Sequence, residues 1–382
     1  MSFFVRNTSK ITPKNMKLKL SLTLLLSVLL ITGCIQDEPL SPYADIDAFS
    51  LPDDVTLSTA SFNQDNISIY VKKGANLSAI VPSIRISEGA AITPDPATPQ
   101  DFNHEVKYTV TAADGLHRRE YVIQAISISQ YKYDFEYWEE LDKYGPYETP
   151  VEYDLAGKRT TPWDSSNRGI NYYVDFTGPD QYPIHKTTSS TGGKYAAEMT
   201  TIKGPENVMN IMYIPVAAGS LFIGAMNPIY ALKDPLLATQ FGQPFHDKPL
   251  RITGKYKYKA GTGNYIDPNG KVRPGVKDSC AIYSVFYRVD SASMMLDGTN
   301  VLTHPNIVSL AMLPPDMRAA SPGNDFATFD IPFEKKSNHV VDFEKNSYKL
   351  AIVLTSSFYG DRYEGTIGSR LIVDEVEVII EE

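Results

Sequence analysis

Short runs in which apolar and polar residues alternate dominate the chain beyond its first 44 residues. Residues 67–71 and 106–110 are examples, and Asp114 and Gly115 follow the second of them. A period of two predicts half-buried strands, and an Asp-Gly pair favours a tight hairpin turn. We therefore predict a small immunoglobulin-like β-sandwich over residues 45–127.

A second all-β domain is predicted over residues 128–382, starting where tyrosines crowd among acidic residues. Residues 350–354 are continuously apolar, which predicts a central strand buried on both faces. The final run, 372–380, alternates, so that Asp374 is expected on the same face as Ile372 and Val376. Helical periodicity is scarce; residues 234–240 are expected to form one or two turns. A jelly-roll β-sandwich is the expected fold.

The first 44 residues carry a targeting pattern. Lysines precede an apolar run at 20–31, which is shorter than the ~20 residues of a spanning helix and is typical of a signal peptide. The run leads into Ile-Thr-Gly before Cys34, which resembles the bacterial lipoprotein processing box. We predict a signal peptide at 1–33 with Met16 as an alternative start, lipidation of Cys34, and a tether at 34–44.

Acidic residues follow Cys34 closely. The segment Gln36, Asp37 and Glu38 resembles the export tag with which Bacteroidetes send lipoproteins to the outer face of the outer membrane. The predicted location is therefore the outer membrane, lipid-anchored and facing the cell exterior. The lipid would make the membrane a partner of the chain.

Composition narrows the classes of partner. The chain is 42% hydrophobic and 21% charged, as in a folded protein, and it contains 24 Tyr, which suit strands and wet binding surfaces. Its formal net charge of −9 argues against nucleic acid. With Cys34 lipidated, Cys280 has no intramolecular disulfide partner and is expected to be a small buried hydrophobe.

Several separate blocks of sequence resemble one family. Residues 217–224, 241–245 leading into 254–258, 356–361 and 365–374 are similar, in the same order, to the putative carbohydrate metabolism domain family, PCMD. The resemblance covers residues 134–382. It implies a β-sandwich resembling carbohydrate-binding modules and a place in glycan use by Bacteroidetes. The first domain resembles the spacer modules that follow the anchor in surface lipoproteins of that phylum.

Aromatic residues in polar loops are the candidates for contact with sugar rings, whose apolar faces stack on aromatic planes. Trp163 lies in a turn-rich stretch at 161–169, although packing over an edge of the sandwich explains it equally well. Tyr182 and His246 lie in similar loops, where a structural role is favoured. We name these three as glycan-binding candidates.

Two acids are candidates for a structural calcium ion. Glu136 stands near the start of the second domain and Asp374 near its end, and the first and last strands of a jelly roll are commonly neighbours. Ca²⁺ takes ~6–8 oxygen ligands, which carboxylates and backbone carbonyls supply. A salt bridge or a hydrogen-bonded cap on Asp374 is the favoured alternative. No other cofactor is expected.

The sequence contains few features that indicate enzymatic activity. Glycoside hydrolysis needs two carboxylates, and no spacing selects a pair from the 45 acidic residues. Asp361 is the candidate catalytic acid, with capping of the Gly360 bend as the alternative. No H-E-x-x-H or G-x-S-x-G motif occurs.

The sequence thus predicts a surface lipoprotein that binds a polysaccharide or oligosaccharide within a polysaccharide-utilisation system, beside outer-membrane glycan importer components. A glycoside hydrolase is the first alternative. A structural or adhesin subunit that binds protein is the second.

Overall fold

The computed structural model describes residues 40–56, 59–72, 75–126, 131–140, 145–153, 159–208, 210, 212–227, 230, 234–291, 294–343 and 345–381. The predicted signal peptide and the Cys34 lipidation site lie outside these residues. Within them, no helix has the length and apolar character needed to cross a membrane.

The first domain consists of short strands in two sheets. They are β1 (Ile46–Ser50), β2 (Ser61–Asn63), β3 (Asn66–Tyr70), β4 (Ser83–Ile86), β5 (Ala91–Thr93), β6 (Val106–Thr111) and β7 (Arg118–Ile126). β1 pairs with β4, and the other sheet has the order β2-β3-β7-β6-β5 with β3 and β7 parallel. Apolar side chains such as Ile67, Tyr108 and Ile123 form its core. The predicted hairpin around Asp114 is confirmed, since Thr111 pairs with Arg118.

The second domain is also built of strands. They are β8 (Lys132–Tyr133), β9 (Tyr137–Glu140), β10 (Glu148–Tyr153), β11 (Arg159–Thr160), β12 (Trp163–Ser165), β13 (Ile184–Thr187), β14 (Ala196–Thr200), β15 (Ile202–Val208), β16 (Met212–Ala217), β17 (Ser220–Met226), β18 (Thr239–Phe241), β19 (Gln243–Pro244), β20 (Pro249–Lys259), β21 (Ala281–Val289), β22 (Leu296–Asp297), β23 (Ile307–Met312), β24 (Ala327–Pro332), β25 (Glu334–Lys335), β26 (Ser347–Thr355) and β27 (Arg370–Ile380). The all-β prediction is confirmed; the immunoglobulin-like assignment of the first domain stays a prediction.

Helical turns are short and connect these strands. The described α-helix is α1 (Ser166–Ile170), and single 3-10 turns occur at Pro179–Gln181, Pro235–Leu237, Pro315–Met317, Pro322–Asn324 and Gly360–Arg362. The predicted helical turn within 234–240 is therefore a 3-10 turn followed by β18.

Two large sheets face each other in the second domain. The nine-stranded sheet runs β22-β18-β17-β26-β21-β23-β25, with β12 beside β17 and β19 beside β26. The six-stranded sheet runs β13-β14-β27-β20-β24, with β8 beside β27. The main core fills the space between them and contains, among others, Trp163, Tyr256, Cys280, Phe286 and Val373. Cys280 is a free, buried thiol, as predicted.

The nine-stranded sheet is also apolar on its outer face. Along β26, Leu350, Ile352 and Leu354 point into the main core, whereas Ala351 and Val353 belong to a second cluster on the opposite side. The predicted central strand buried on both faces is confirmed, because β26 lies between β17 and β21. The side chains of this outer cluster are buried, so other parts of the protein cover much of the face.

The prediction of which side chains share a face on the last strand is wrong. Val373 and Val376 both lie in the main core and Ile372 does not, although an even strand would place Ile372 with Val376. Glu375 has φ of 51°, and the pairing of β20 with β27 shifts register opposite it. This bulge adds one residue and reverses the alternation. Asp374 therefore shares a face with Ile372 but not with Val376.

The two domains contact each other through buried polar side chains. Tyr70 donates its hydroxyl hydrogen to Gln243 Oε1 at 2.6 Å, and Gln64 Nε2 donates to the Tyr147 hydroxyl at 2.9 Å. Each bond joins a residue of the first domain to one of the second. The domains are thus docked through specific hydrogen bonds.

Candidate functional site

A buried hydrogen-bond network joins three of the sequence blocks that resemble the PCMD family. Ser356 Oγ accepts from the backbone N–H of Gly219 at 3.0 Å and lies 2.8 Å from Thr201 Oγ1. Ser357 Oγ lies 2.6 Å from the same Thr201 oxygen and donates to Asp278 Oδ2 at 2.6 Å. The network fixes the loop after β26 against the turn between β16 and β17.

Asp278 is the acceptor at the centre of this network. Its Oδ2 also accepts from the Thr366 N–H and from Ser369 Oγ, each at 2.7 Å, and Oδ1 accepts from the Ser279 N–H at 2.8 Å. Burial raises the pKa of the Asp278 carboxyl, and the hydrogen bond from Ser357 is the largest opposing contribution. Four donors thus hold one buried carboxyl in place.

A close backbone approach completes this corner. An added Cβ on Gly360 would lie 2.3 Å from the Cβ of Ala218, so the loop after β26 can approach the β16–β17 turn only with glycine at position 360. The chain then leaves the 3-10 turn through Tyr363, which has φ of 61°. Asp361, Arg362 and Tyr363, which belong to this turn, all line the same pocket.

The same residues line a pocket of about 300 Å³ on the outer face of the nine-stranded sheet. We call it the outer-face pocket. Apolar side chains of the second cluster form its floor, including Phe222, Phe241, Tyr283 and Val353. Polar and aromatic side chains complete its lining, including Ser166, Tyr173, Thr299, Thr303, Tyr359, Asp361, Arg362 and Tyr363.

Aromatic rings and the neighbouring charged side chains of Asp361 and Arg362 line the pocket. The Arg362 guanidinium lies 5.6 Å from the centre of the Tyr359 ring, which packs edge-on against Phe358. Desolvation raises the pKa of the Asp361 carboxyl although the residue as a whole is exposed, and the positive charge of Arg362 opposes this shift. Burial also raises the pKa of the Tyr363 hydroxyl, which therefore stays protonated at neutral pH.

Comparison with known families decides the class. A family model described as "Putative carbohydrate metabolism domain" matches residues 134–379. The chain belongs to the PCMD family. A second model, described as "SGBP, N-terminal", matches residues 46–125, which is the first domain. No curated protein matches the chain.

Two solved structures resemble the PCMD chain. One, from Bacteroides thetaiotaomicron and described as a putative glycoside hydrolase, is 33% identical with a TM-score of 0.81, covering 91% of this chain and 99% of that one. Another, from Bacteroides vulgatus and described in the same words, is 28% identical with a TM-score of 0.59, covering 66% and 98%. The matches establish a carbohydrate-associated role, and the N-terminal match agrees with a cell-surface or secreted protein.

Trp163 is packed inside the PCMD domain, so of the two alternatives that the sequence left open the structure supports packing. Its exposure is 0%, and Tyr133 and Phe135 lie against it with ring centres 5.1 and 5.4 Å away. Its Nε1 donates to Glu152 Oε1 at 3.0 Å. Burial raises the pKa of the Glu152 carboxyl well above its usual range. Residues 161–169, which were predicted to form a loop, contain β12 and most of α1.

The other two predicted glycan residues also lie away from the outer-face pocket. Tyr182 is 1% exposed, and its hydroxyl bonds Asn171 Oδ1 while its ring packs on Tyr147 and Phe176, so it offers no face to a sugar. His246 is half-buried beside Asp247, and burial lowers its pKa. Sequence reasoning therefore found Asp361 but missed Tyr173 and the tyrosines flanking that acid.

One loop, residues 191–195, donates hydrogen bonds to both Glu136 and Asp374, so the two acids lie near the same loop. Lys194 and Tyr195 donate their backbone N–H groups to Glu136 at 2.8 and 3.1 Å. Thr191 donates its N–H and its hydroxyl to Asp374 Oδ2 at 2.7 and 2.9 Å. Asp374 is 1% exposed and is satisfied by these bonds, which is the hydrogen-bonded cap that the sequence favoured.

The described residues offer no further side-chain ligands for the predicted calcium ion. Among the described residues, no group of three or more His, Cys, Asp and Glu side chains is placed to hold a metal ion. Glu136 and Asp374 with backbone carbonyls stay the candidate ligands of the predicted calcium ion.

Proposed function

We propose that this PCMD protein is a cell-surface lipoprotein that binds a glycan in its outer-face pocket and serves a polysaccharide-utilisation system. The observation that carries the proposal is the pocket itself, which the family's own sequence blocks build from loops over an apolar sheet face. Tyrosine rings, one carboxylate and one guanidinium group line it.

This combination suits a saccharide. Sugar rings place their apolar C–H faces on aromatic planes, while their hydroxyls exchange hydrogen bonds with carboxylates, guanidinium groups and side-chain hydroxyls. Tyr359 and Tyr363 would supply the planes. Asp361 would accept hydrogen bonds from the sugar, and Arg362 would donate them.

The location is part of the proposal. Lipid on Cys34 would tie the chain to the outer membrane, and the domain that matches "SGBP, N-terminal" would stand between the anchor and the PCMD domain. Glycan importer components of the same membrane would then be partners. Replacing Cys34 with Ser should release the protein from membranes, and protease treatment of intact cells would test exposure on the outer surface.

Affinity electrophoresis of residues 40–382 through gels containing single polysaccharides tests glycan binding. We expect retardation by at least one of them, weakened at least about tenfold by Tyr359→Ala. Tyr137→Ala is a matched control, because Tyr137 is 54% exposed and Tyr359 is 45% exposed. Equal loss in both variants would remove the pocket from the proposal, and retardation by no polysaccharide would remove the function.

A glycoside hydrolase is the second candidate, because both solved relatives carry that description. Asp361 would be its acid. Hydrolysis generally uses two carboxylates ~5–9.5 Å apart, and among the described residues that line the pocket Asp361 is the one carboxylate. Binding is therefore favoured. Release of reducing ends from the same polysaccharides, abolished by Asp361→Asn, would establish the enzyme instead.

A subunit that binds protein, the remaining alternative, makes the opposite prediction. It would capture a cell-surface protein in pull-down experiments and would show no retardation by any polysaccharide.

A further inference from the structure

The outer-face pocket runs from an exposed rim to a buried floor. Tyr359 at the rim is 45% exposed, whereas Tyr283 on the floor is 9% exposed. The volume of about 300 Å³ is at the lower end of the ~300–1,000 Å³ that small-molecule sites occupy. The pocket therefore has room for a substituent or a chain end of a saccharide rather than for a long stretch of chain.

The floor of the pocket offers few polar groups. Phe222, Phe241 and Val353 are buried there, in the second apolar cluster. A hexose ring carries several hydroxyls, and each of them needs a hydrogen-bond partner once it is removed from water. The floor therefore suits a sugar substituent that carries a methyl group better than it suits an unsubstituted ring.

Three hydroxyls that line the pocket are already engaged within the protein. Ser166 Oγ donates to the Ala218 carbonyl oxygen at 3.0 Å. Ser220 Oγ donates to Thr355 Oγ1 at 2.8 Å, and Thr355 Oγ1 donates to the Ser357 carbonyl oxygen at 3.2 Å. Because these bonds hold neighbouring loops together, the three hydrogens are not available to a ligand.

The hydroxyl of Tyr283 differs from these three. It makes no hydrogen bond within the part of the chain that the structure describes, and it is not one of the unpartnered side-chain atoms that are closed to solvent. Burial raises the pKa of this hydroxyl, which therefore stays protonated at neutral pH and can donate. A ligand that fills the pocket removes the hydroxyl from water and must bring an acceptor.

Asp361 supplies an acceptor in the same pocket. Its negative charge acts on the Tyr283 hydroxyl and contributes to the raised pKa of that group. A hydroxyl donor and a carboxyl acceptor are thus within electrostatic reach of each other beside an apolar floor.

An acetamido group matches this combination of features. Its carbonyl oxygen accepts a hydrogen bond, its N–H donates one, and its methyl group can be buried without a polar partner. A sugar hydroxyl lacks the methyl group. The methyl group of a 6-deoxy sugar lacks both polar atoms.

We propose that the outer-face pocket binds the acetamido group of an N-acetylated amino sugar. The methyl group would lie on the apolar floor, the carbonyl oxygen would accept from the Tyr283 hydroxyl, and the N–H would donate to the Asp361 carboxyl. The sugar ring itself would lie at the rim, against Tyr359. The inference rests on the proposed function, because glycan binding supplies the class of ligand.

Calorimetric titration of residues 40–382 with matched saccharides tests this. One pair consists of β-1,4-linked trisaccharides of N-acetylglucosamine and of glucose, and the other of the methyl glycosides of N-acetylgalactosamine and of galactose. The members of each pair differ only in carrying an acetamido group or a hydroxyl at C2. In at least one pair we expect the acetamido ligand to bind at least about tenfold more tightly, which is about 1.4 kcal/mol in binding free energy.

Tyr283→Phe removes the hydroxyl and keeps the ring. We expect the preference for the acetamido ligand to fall from about tenfold to about threefold or less, because one neutral hydrogen bond to the ligand is lost. Tyr108→Phe is the matched control. Tyr108 is 0% exposed in the core of the first domain, and its hydroxyl has no hydrogen-bond partner among the described residues. This variant should keep the full preference.

Two results overturn the inference and leave the proposed function standing. One is retardation by polysaccharides without preference for the acetamido member of either pair. The other is a preference that Tyr283→Phe and Tyr108→Phe retain equally. Absence of binding to every saccharide, with or without an acetamido group, would instead overturn the proposed function and the inference together.

Discussion

Ser357 Oγ donates to Asp278 Oδ2 at 2.6 Å, and through this bond the loop that carries Asp361 is tied to the entry of β21. Asp278→Ala would leave the buried donors of Ser357, Thr366 and Ser369 without their acceptor. We expect a loss of on the order of 3 kcal/mol in the free energy of unfolding, because each unsatisfied buried donor costs about 1–3 kcal/mol.

Urea denaturation measures this loss, and Asp330→Ala is its control. Asp330 forms an exposed ion pair with Arg251 at 2.6 Å, and such pairs contribute about 0–1 kcal/mol. Similar losses in the two variants would show that the Asp278 network does not stabilise the fold.

Gly360→Ala should also destabilise the protein, by about 2 kcal/mol, because the new methyl group would collide with Ala218. The double variant Gly360→Ala with Ala218→Gly removes the collision and should recover most of the loss. A double-mutant cycle by chemical denaturation measures the coupling. Strictly additive effects would mean that the contact between these residues is not what excludes a side chain at position 360.

Sequence patterns predicted those elements whose environment is determined by neighbouring residues in the chain. β26 was predicted as a central strand because residues 350–354 are apolar on both faces, and the hairpin at Asp114 followed from its turn residues. The bulge at Glu375 was missed because a positive φ at a glutamate leaves no mark in the sequence. Once the bulge is present, each later residue of β27 changes face.

The candidate site was predicted only in part. Asp361, which the sequence singled out after Tyr359 and Gly360, lines the pocket. Trp163 was misplaced because its burial depends on Tyr133 and Phe135, which precede it by about thirty residues and reach it through β8. The pocket draws on α1, β17, β18 and the loop after β26, and no local pattern reports that such distant segments meet.

Thr191→Val should lower the free energy of unfolding by about 1 kcal/mol, because the Asp374 carboxylate would lose its hydroxyl donor but keep two backbone N–H donors. Thr328→Val, on an exposed residue of β24, is the control. We further expect the melting temperature to be the same in EDTA and in added Ca²⁺. A melting temperature that falls in EDTA and returns with Ca²⁺ would instead support the predicted calcium ion.

Lys349→Met should stabilise the ligand-free protein most at neutral pH. Burial lowers the pKa of Lys349 from 10.5 to about 8 in the folded state, whereas the unfolded chain keeps the usual value. Below pH 8 the group is charged in both states, so the folded protein carries the whole cost of burying the charge. Between about pH 8 and 10.5 the unfolded state binds more protons, and wild-type stability rises with pH.

The variant lacks this titration, so its advantage over wild type should shrink as the pH rises. At about 1.4 kcal/mol for each unit of pKa, the advantage is on the order of 3 kcal/mol at pH 7 and should largely vanish by pH 10. Urea denaturation of both proteins between pH 7 and 10 measures the difference, with Lys203→Met as the reference for an exposed lysine. A difference that stays constant across this range would mean that Lys349 is not the group that titrates.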